Sequence, residues 1–373
     1  MNPAILNRAA DIVDNVRERG RPARSSRHFA PASGRDARRP ARHPVLIGIA
    51  GCALLAAGPA ARSADANFQA FCTEKAAAAA QAGTATVAGR DGWLFLDKDL
   101  RHAGHKDFTA AFAGPNRDPV PAIADFAKQL AAGGTKLILV PVPPKPLVQA
   151  AETGGPAVDT AAARAPVEAL YAKLKERGVT VVDLFAAFRA AAADGKALVY
   201  CRTDTHWSGR GCELAAAALA AAVRDAGVPA GKVPFKAERR EMEIAGDLAG
   251  GLAPPAPKEK LDLGFVSGAD GAAPADDRAS PILLLGDSHV LVFHAGGDMH
   301  AQGAGLADHL AKELAAPVDV LGVRGSGATA CRVSLYRRSK ADPAYLAGKK
   351  LVIWCLAERE FTEADGWRAV PVK

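Results

Sequence analysis

Five short runs rich in Val, Ile and Leu recur along this chain: Lys136–Val142, Val179–Leu184, Ile282–Leu285, Val318–Val323 and Leu351–Cys355. Most positions in them are apolar, where a strand with one wet face would alternate. Such strands need cover on both faces, which a parallel sheet between two helical layers provides. Stretches of helical length, Pro121–Ala132, Ala161–Arg177, Ser208–Ala226 and Gly303–Ala315, separate the runs. The predicted fold is therefore α/β, a three-layer α/β/α sandwich on a mainly parallel sheet. Residues 229–280 break the rhythm with Pro, Gly and charge and read as an insertion. No internal repeat is present.

Charge divides the chain. Residues 1–64 hold 11 of the 47 basic residues, all Arg, and 4 of the 40 acidic ones, leaving 36 of each sign in the remainder. The basic balance belongs to a leader, and the rest has no clustered charge of the kind nucleic acid demands. Residues 1–43 are Arg-, Pro- and Ser-rich and are predicted to be disordered. Within 44–66 lies the apolar run Val45–Gly58, preceded by Arg38, Arg39 and Arg42. Its length suits a signal-peptide core better than a membrane span, although a retained anchor stays open. Cleavage after Ala61-Arg62-Ser63 or Ala64-Asp65-Ala66 fits, and Cys52 lies inside the apolar run, which argues against lipidation. A periplasmic or secreted destination follows. Residues 67–87 read as a short helix and linker, and 88–373 as the folded domain.

Beyond the leader the cysteines are Cys72, Cys201, Cys212, Cys331 and Cys355. An odd number leaves at least one unpaired. A Cys201–Cys212 bridge and two buried thiols remain equal alternatives. No Cys-x-x-Cys spacing suggests zinc. His289, His294, Asp298 and His300 also fit no standard metal motif, so no metal or cofactor is expected.

Gly286-Asp287-Ser288 follows the run ending at Leu285, where ligands bind in open α/β sheets. A strand-to-helix turn there would expose the Ser288 hydroxyl and leave amides free for an oxyanion; alternatively Ser288 only caps the next helix. Asp204-Thr205-His206-Trp207 supplies an imidazole with a carboxylate two residues away. On an extended loop the two project to one side, so Asp204 can fix the His206 tautomer. Each motif alone has a structural explanation, but together they predict nucleophilic acyl transfer.

These motifs, with Gly92-Trp93-Leu94-Phe95, Pro141-Val142-Pro143-Pro144-Lys145, Gly246-Asp247-Leu248 and Val352-Ile353-Trp354 followed by Glu358-Arg359, resemble the SGNH-hydrolase-like domain of the alginate O-acetyltransferase family (AlgJ/AlgX-like). The likeness spans about residues 88–361. Its specific element is the Asp-x-His-Trp placed ahead of the serine, because ordinary SGNH esterases carry Asp and His after it. The resemblance implies Ser288 as nucleophile, His206 as general base and Asp204 as its orienter. It also implies a periplasmic O-acetyltransferase acting on an exopolysaccharide, alginate-like or cellulose-like, through an acetyl-serine. A membrane-bound O-acyltransferase partner would supply the acetyl group. An acetyl esterase with the same triad and a non-catalytic scaffold of an export complex are the alternatives.

The chain departs from ordinary SGNH enzymes in having no Asn after Asn116, so oxyanion donors must come from backbone amides at Ser288 and Gly325 or Gly327, with help from Arg324. Arg324 is equally readable as a surface charge. Lys145 is placed to meet an anionic sugar or else to be solvated. Trp207 is placed to stack on a sugar ring or to pack in the core, and Asp287 to border the substrate. Glu358 and Arg359 are expected to pair with each other.

Overall fold

The computed structural model describes residues 67–252, 256–325 and 327–373. β1 (Thr86–Ala88) and β2 (Leu94–Leu96) pair as a short antiparallel ribbon. Five parallel strands, β3 (Lys136–Val142), β4 (Thr180–Val181), β7 (Ile282–Gly286), β8 (Asp319–Gly322) and β9 (Leu351–Ala357), form the central sheet in the order β4-β3-β9-β7-β8. All five arise from the apolar runs. Alternate residues of each strand enter opposite cores. Ile138, Val140, Leu284 and Ile353 face one cluster, while Leu139, Leu283, Leu285 and Trp354 face the other. Helices cover both clusters, which makes the three layers of an α/β/α sandwich.

On the first face lie α1 (Phe68–Ala82), α2 (Asp97–Ala103), α4 (Lys145–Val148), α6 (Phe185–Asp194), α7 (Gly209–Asp225) and α8 (Leu306–Leu314). On the second lie α3 (Pro119–Ala132), α5 (Thr160–Glu176) and α9 (Ala330–Ala341). Phe68, Cys72 and Ala76 of α1 are buried in the first cluster, so this segment is packed into the domain and does not act as a linker. The Ser208 hydroxyl accepts from the Arg210 and Gly211 amides and caps α7.

Pro141 sits inside β3 without breaking the sheet. The Leu139 carbonyl accepts from Val182 N–H on the β4 side, and β4 is only two residues long. Pro141, two residues on, faces the same side beyond the end of β4, where no ladder hydrogen bond is lost.

The 229–280 segment is more regular than its composition suggests. β5 (Lys236–Ile244) and β6 (Glu259–Ser267) form an antiparallel ribbon of nine paired positions. β6 turns Leu261 and Leu263 into the first core, whereas β5 is exposed along most of its length.

All five cysteines of the described chain are free and buried, and Cys201 and Cys212 are not bridged. The Val45–Gly58 segment lies outside the described residues. Among the described residues no helix is long and apolar enough to cross a membrane.

Candidate active site

Connections from β3 and β7 leave in opposite directions, to β4 on one side of β9 and to β8 on the other. Such a reversal opens a crevice at the carboxyl ends of the strands. Gly286 ends β7 there. A Cβ at this position would lie 2.1 Å from the Cys355 carbonyl oxygen, so only glycine allows the close approach of β7 to β9. The chain then makes a single 3-10 turn, Ser288–Val290, and not the longer helix expected from the sequence. Asp287, rather than Ser288, is the cap: its Oδ1 accepts from the His289 amide at 2.8 Å and from His289 Nδ1 at 2.9 Å. Its Oδ2 accepts from the Ala357 amide at 2.7 Å. Burial would raise the Asp287 carboxyl, but His289, the Ala357 amide and Arg359 hold it well below the ordinary range. Asp287 is thus buried behind the turn, fixing it to the end of β9, and does not border a substrate. Ser288 is half-buried at the front of the turn.

Opposite it stands the 200–207 loop, closed at its base by the isolated bridge between Tyr200 and Trp207. Three side chains hold this loop, Glu259 and Lys145 buried and Asp247 exposed. Glu259, at the start of β6, accepts from the Arg202 and Thr203 amides and the Thr203 hydroxyl at 2.7–2.8 Å. Asp247 accepts from the Thr205 amide at 2.7 Å and its hydroxyl at 2.6 Å. Lys145 donates to the carbonyls of Leu94 at 2.6 Å, Asp204 at 2.9 Å and Arg202 at 3.1 Å, which uses all three ammonium protons. Burial pulls the Lys145 pKa down to about 8, with Cys201, Glu259 and Asp204 opposing it. At 1% exposure Lys145 can neither meet a sugar nor be solvated. The position at the sheet edge suggested both; the side chain instead turns inward between Trp93 and Phe95.

Within the loop, His206 Nδ1 donates to Asp204 Oδ1 at 2.6 Å and the His206 amide donates to the same oxygen at 2.9 Å. His206 Nε2 faces Ser288 Oγ at 2.7 Å. The carboxylate, the ring and the hydroxyl therefore form one continuous hydrogen-bonded chain. Asp204 Oδ2 accepts twice more, from the Asp247 amide at 2.9 Å and from His300 Nε2 at 2.9 Å. Burial opposes ionisation of Asp204, but the hydrogen bonds from His206 and His300 overcome it and keep the carboxyl well below its usual range. His206 is likewise pulled down by burial and pushed up further by Asp204, Asp247 and Asp287, for a net rise above an ordinary imidazole. Burial keeps His289 below its usual value, and its ring meets that of His206 edge-on at 4.9 Å between centroids.

The other expected residues divide. Trp207 is fully buried against Phe188 and His289, so it packs in the core and offers no platform to a sugar. Arg324 points to the surface and pairs with Asp298 at 2.6 Å, both more than half exposed, so it is the surface charge and not an aimed oxyanion donor. Gly325 adopts φ +81°, and a Cβ on Gly327 would meet Leu356 at 2.7 Å and Asp287 at 3.2 Å, so Gly327 lies close against the serine turn. The Ser288 amide donates to no described residue. Glu358 and Arg359 do not pair with each other. Glu358 is buried with Arg164 at 2.7 Å and Tyr171 at 2.8 Å, while Arg359 reaches Asp99 at 3.1 Å. Adjacent residues after a strand project to opposite sides, so each finds a separate partner.

Asp204, His206 and Asp247 bring three potential ligand atoms within 4.8 Å of one another. Their nitrogen and oxygen atoms are already engaged in the hydrogen bonds above, so the cluster is organised for proton handling. The four residues His289, His294, Asp298 and His300 scatter: His289 pairs with Asp287, His294 with Asp308 and Asp276, Asp298 with Arg324, and His300 with Asp204. Sequence reasoning did not assign Asp247, Glu259 or His300 to the site. Of these, Asp247 alone stands in a motif that carries the resemblance, Gly246-Asp247-Leu248, and a Cβ at Gly246 would lie 2.2 Å from Thr203, so only glycine fits beside the loop.

Residues 86–358 match the family described as SGNH hydrolase-like domain, acetyltransferase AlgX. The structure is similar to the O-acetyltransferase domain of Pseudomonas putida AlgJ, with a TM-score of 0.58 and 25% identity over 74% of this chain and 92% of that one. It shares its fold with Pseudomonas aeruginosa AlgX at a TM-score of 0.56 and 18% identity, over 76% of this chain and 64% of that one. The probable alginate O-acetylase AlgJ of Pseudomonas syringae pv. tomato is 30% identical over 157 residues, 42% of this chain and 36% of that protein. The matched stretch thus spans about a third of that relative's length. Matched across most of its folded part and built on the same sheet, the chain belongs to the SGNH hydrolase-like family of the acetyltransferase AlgX.

Proposed function

We propose that this chain is a periplasmic polysaccharide O-acetyltransferase working through an acetyl-serine at Ser288. The observation that carries the reading is the unbroken series Asp204, His206, Ser288, with contacts of 2.6 and 2.7 Å, at the carboxyl edge of the sheet. Ser288 Oγ attacks the acetyl carbonyl while His206 Nε2 takes its proton, and Asp204 holds the resulting imidazolium. The Ser288 amide stabilises the oxyanion, with Gly327 close to the turn that carries it. The imidazolium then protonates the departing donor. A sugar hydroxyl next gives its proton to His206 and attacks the acetyl-serine, which regenerates the free hydroxyl. The family supports acetyl as the group moved, and the printed names of the AlgJ relatives support alginate or a similar polysaccharide as acceptor. The Arg-flanked apolar run before residue 64 supports export, and the family resemblance supports a membrane-bound O-acyltransferase as acetyl supplier.

The test offers purified protein a chromogenic acetyl ester with and without uronic-acid or cellulose oligosaccharides. Acetylated oligosaccharide that disappears in Ser288→Ala is the expected result. Free acetate released equally with and without acceptor would assign the protein to the esterases instead.

A further inference from the structure

We propose that His300 is a positioning residue of this site, holding Asp204 from the side opposite His206 so that the working unit is Ser288–His206–Asp204–His300. The proposal rests on the acyl-transfer reading above and extends it to a residue 96 positions from Asp204.

Three observations carry it. His300 Nε2 lies 2.9 Å from Asp204 Oδ2, the oxygen that His206 does not use. The second donor to that oxygen is the Asp247 amide, so His300 is the side chain that fixes the carboxylate plane from the outside. Further, His300 adopts φ +69° and ψ −60°, and the Ala301 amide donates to the Met299 carbonyl across it at 2.9 Å. This is the γ-turn of positive φ, a rare and strained conformation for a residue with a side chain. Glycine would adopt it freely, so a histidine here is a cost to the fold that its side chain must offset. Lastly, the surrounding loop is built to present it. Phe293 also has positive φ, its amide donates to the Met299 carbonyl at 2.8 Å, the Gly296 amide donates to the Ala301 carbonyl at 2.8 Å, and the Phe293 ring lies 5.8 Å from that of His300.

A neutral His300 must carry its proton on Nε2 to serve a carboxylate. Its hydrogen bond stops Asp204 from rotating about χ2, and thereby keeps Oδ1 aimed at His206 Nδ1. Loss of His300 would leave Asp204 charged but free to swing, with His206 sampling rotations that break its contact with Ser288. The predicted deficit is in the chemical step, since His300 touches no reacting atom.

The experiment compares wild type, His300→Gly, His300→Gln and Ser288→Ala with a chromogenic acetyl ester, alongside thermal melts. His300→Gly relieves the γ-turn, so its melting temperature should equal or exceed that of wild type. Its kcat should nevertheless fall by about tenfold or more with KM little changed, the loss expected for one hydrogen bond to a charged group. Added imidazole should restore His300→Gly and leave wild type unaffected, and His300→Gln, which keeps a donor of similar reach, should retain more activity than His300→Gly. Wild-type kcat in His300→Gly overturns the proposal. So does a loss that follows a lowered melting temperature and resists imidazole, since that marks a purely structural residue. In either case an inactive Ser288→Ala leaves the acyl-transfer reading standing, whereas an active Ser288→Ala removes both.

Discussion

The Lys145 ammonium lies 2.9 Å from the carbonyl oxygen of Asp204, so the residue that orients the candidate base is itself anchored through its backbone from β3's end. The same ammonium bridges Leu94 and Arg202, tying the 94–96 strand to the 200–207 loop. Lys145→Met would leave the inward-facing carbonyls of Leu94 and Asp204 without a donor, that of Arg202 keeping only the Leu94 amide, and would remove a buried cation near Glu259. The expected loss is about 2–4 kcal/mol of stability in urea denaturation, with esterase turnover falling alongside it.

The pH profile follows from His206. As general base it must be neutral, and Asp204 holds its pKa above an ordinary imidazole despite burial. Turnover of an acetyl ester should therefore rise with pH through an apparent pKa above about 6.5. Asp204→Asn removes the largest upward influence, so the limb should move to lower pH while the rate falls by up to about 10⁴-fold, as when a triad carboxylate is lost elsewhere. A kcat/KM profile of both proteins checks the direction.

Glu360 offers a separate test of the fold. Burial pushes its pKa up to about 7 against the pull of Arg359, and its carboxyl accepts from the Ala328 amide at 3.2 Å. The folded chain thus binds this proton more tightly than the unfolded chain. Its contribution is fully present below about pH 4.5 and is lost as pH rises through about 7. Glu360→Gln keeps an acceptor and removes the titration. It should stabilise the protein by about 1–3 kcal/mol above pH 7 and change little at pH 5, measured by denaturation at both values.

Free, buried thiols at Cys72, Cys201, Cys212, Cys331 and Cys355 predict that reductant leaves the melting temperature unchanged. Alkylation after unfolding without reductant should label all five, read by mass spectrometry of the peptides. A Cys201–Cys212 crosslinked peptide would contradict the structure.

The sheet was legible because doubly covered strands must be apolar along their whole length, as Leu283, Leu284 and Leu285 are. The ribbon was not. Lys236–Ile244 is charged along most of its length, and only Met242 and Ile244 at its end reach the first core, while its pairing with β6, exposed Lys260–Glu241 and Lys258–Glu243 contacts included, has no signature in a single strand. Ser288, His206 and Asp204 could be singled out because each motif has short-range chemistry at a strand end or loop. Whether a neighbouring side chain turns in or out could not be read the same way. Lys145 and Trp207 sit at the right edge of the sheet, yet both turn inward, while Arg324 turns outward to Asp298. His300 was invisible as a partner of Asp204, because its contact depends on a γ-turn that no local pattern announces.

The central claim is that Ser288 carries the acetyl group. Purified protein should be incubated with an acetyl ester, quenched in acid and mapped by peptide mass spectrometry, with Ser288→Ala as the control. An adduct of one acetyl group on the Ser288 peptide, discharged on adding acceptor oligosaccharide, is the predicted result. Turnover with no adduct at Ser288, or an adduct that persists in Ser288→Ala, would contradict the account.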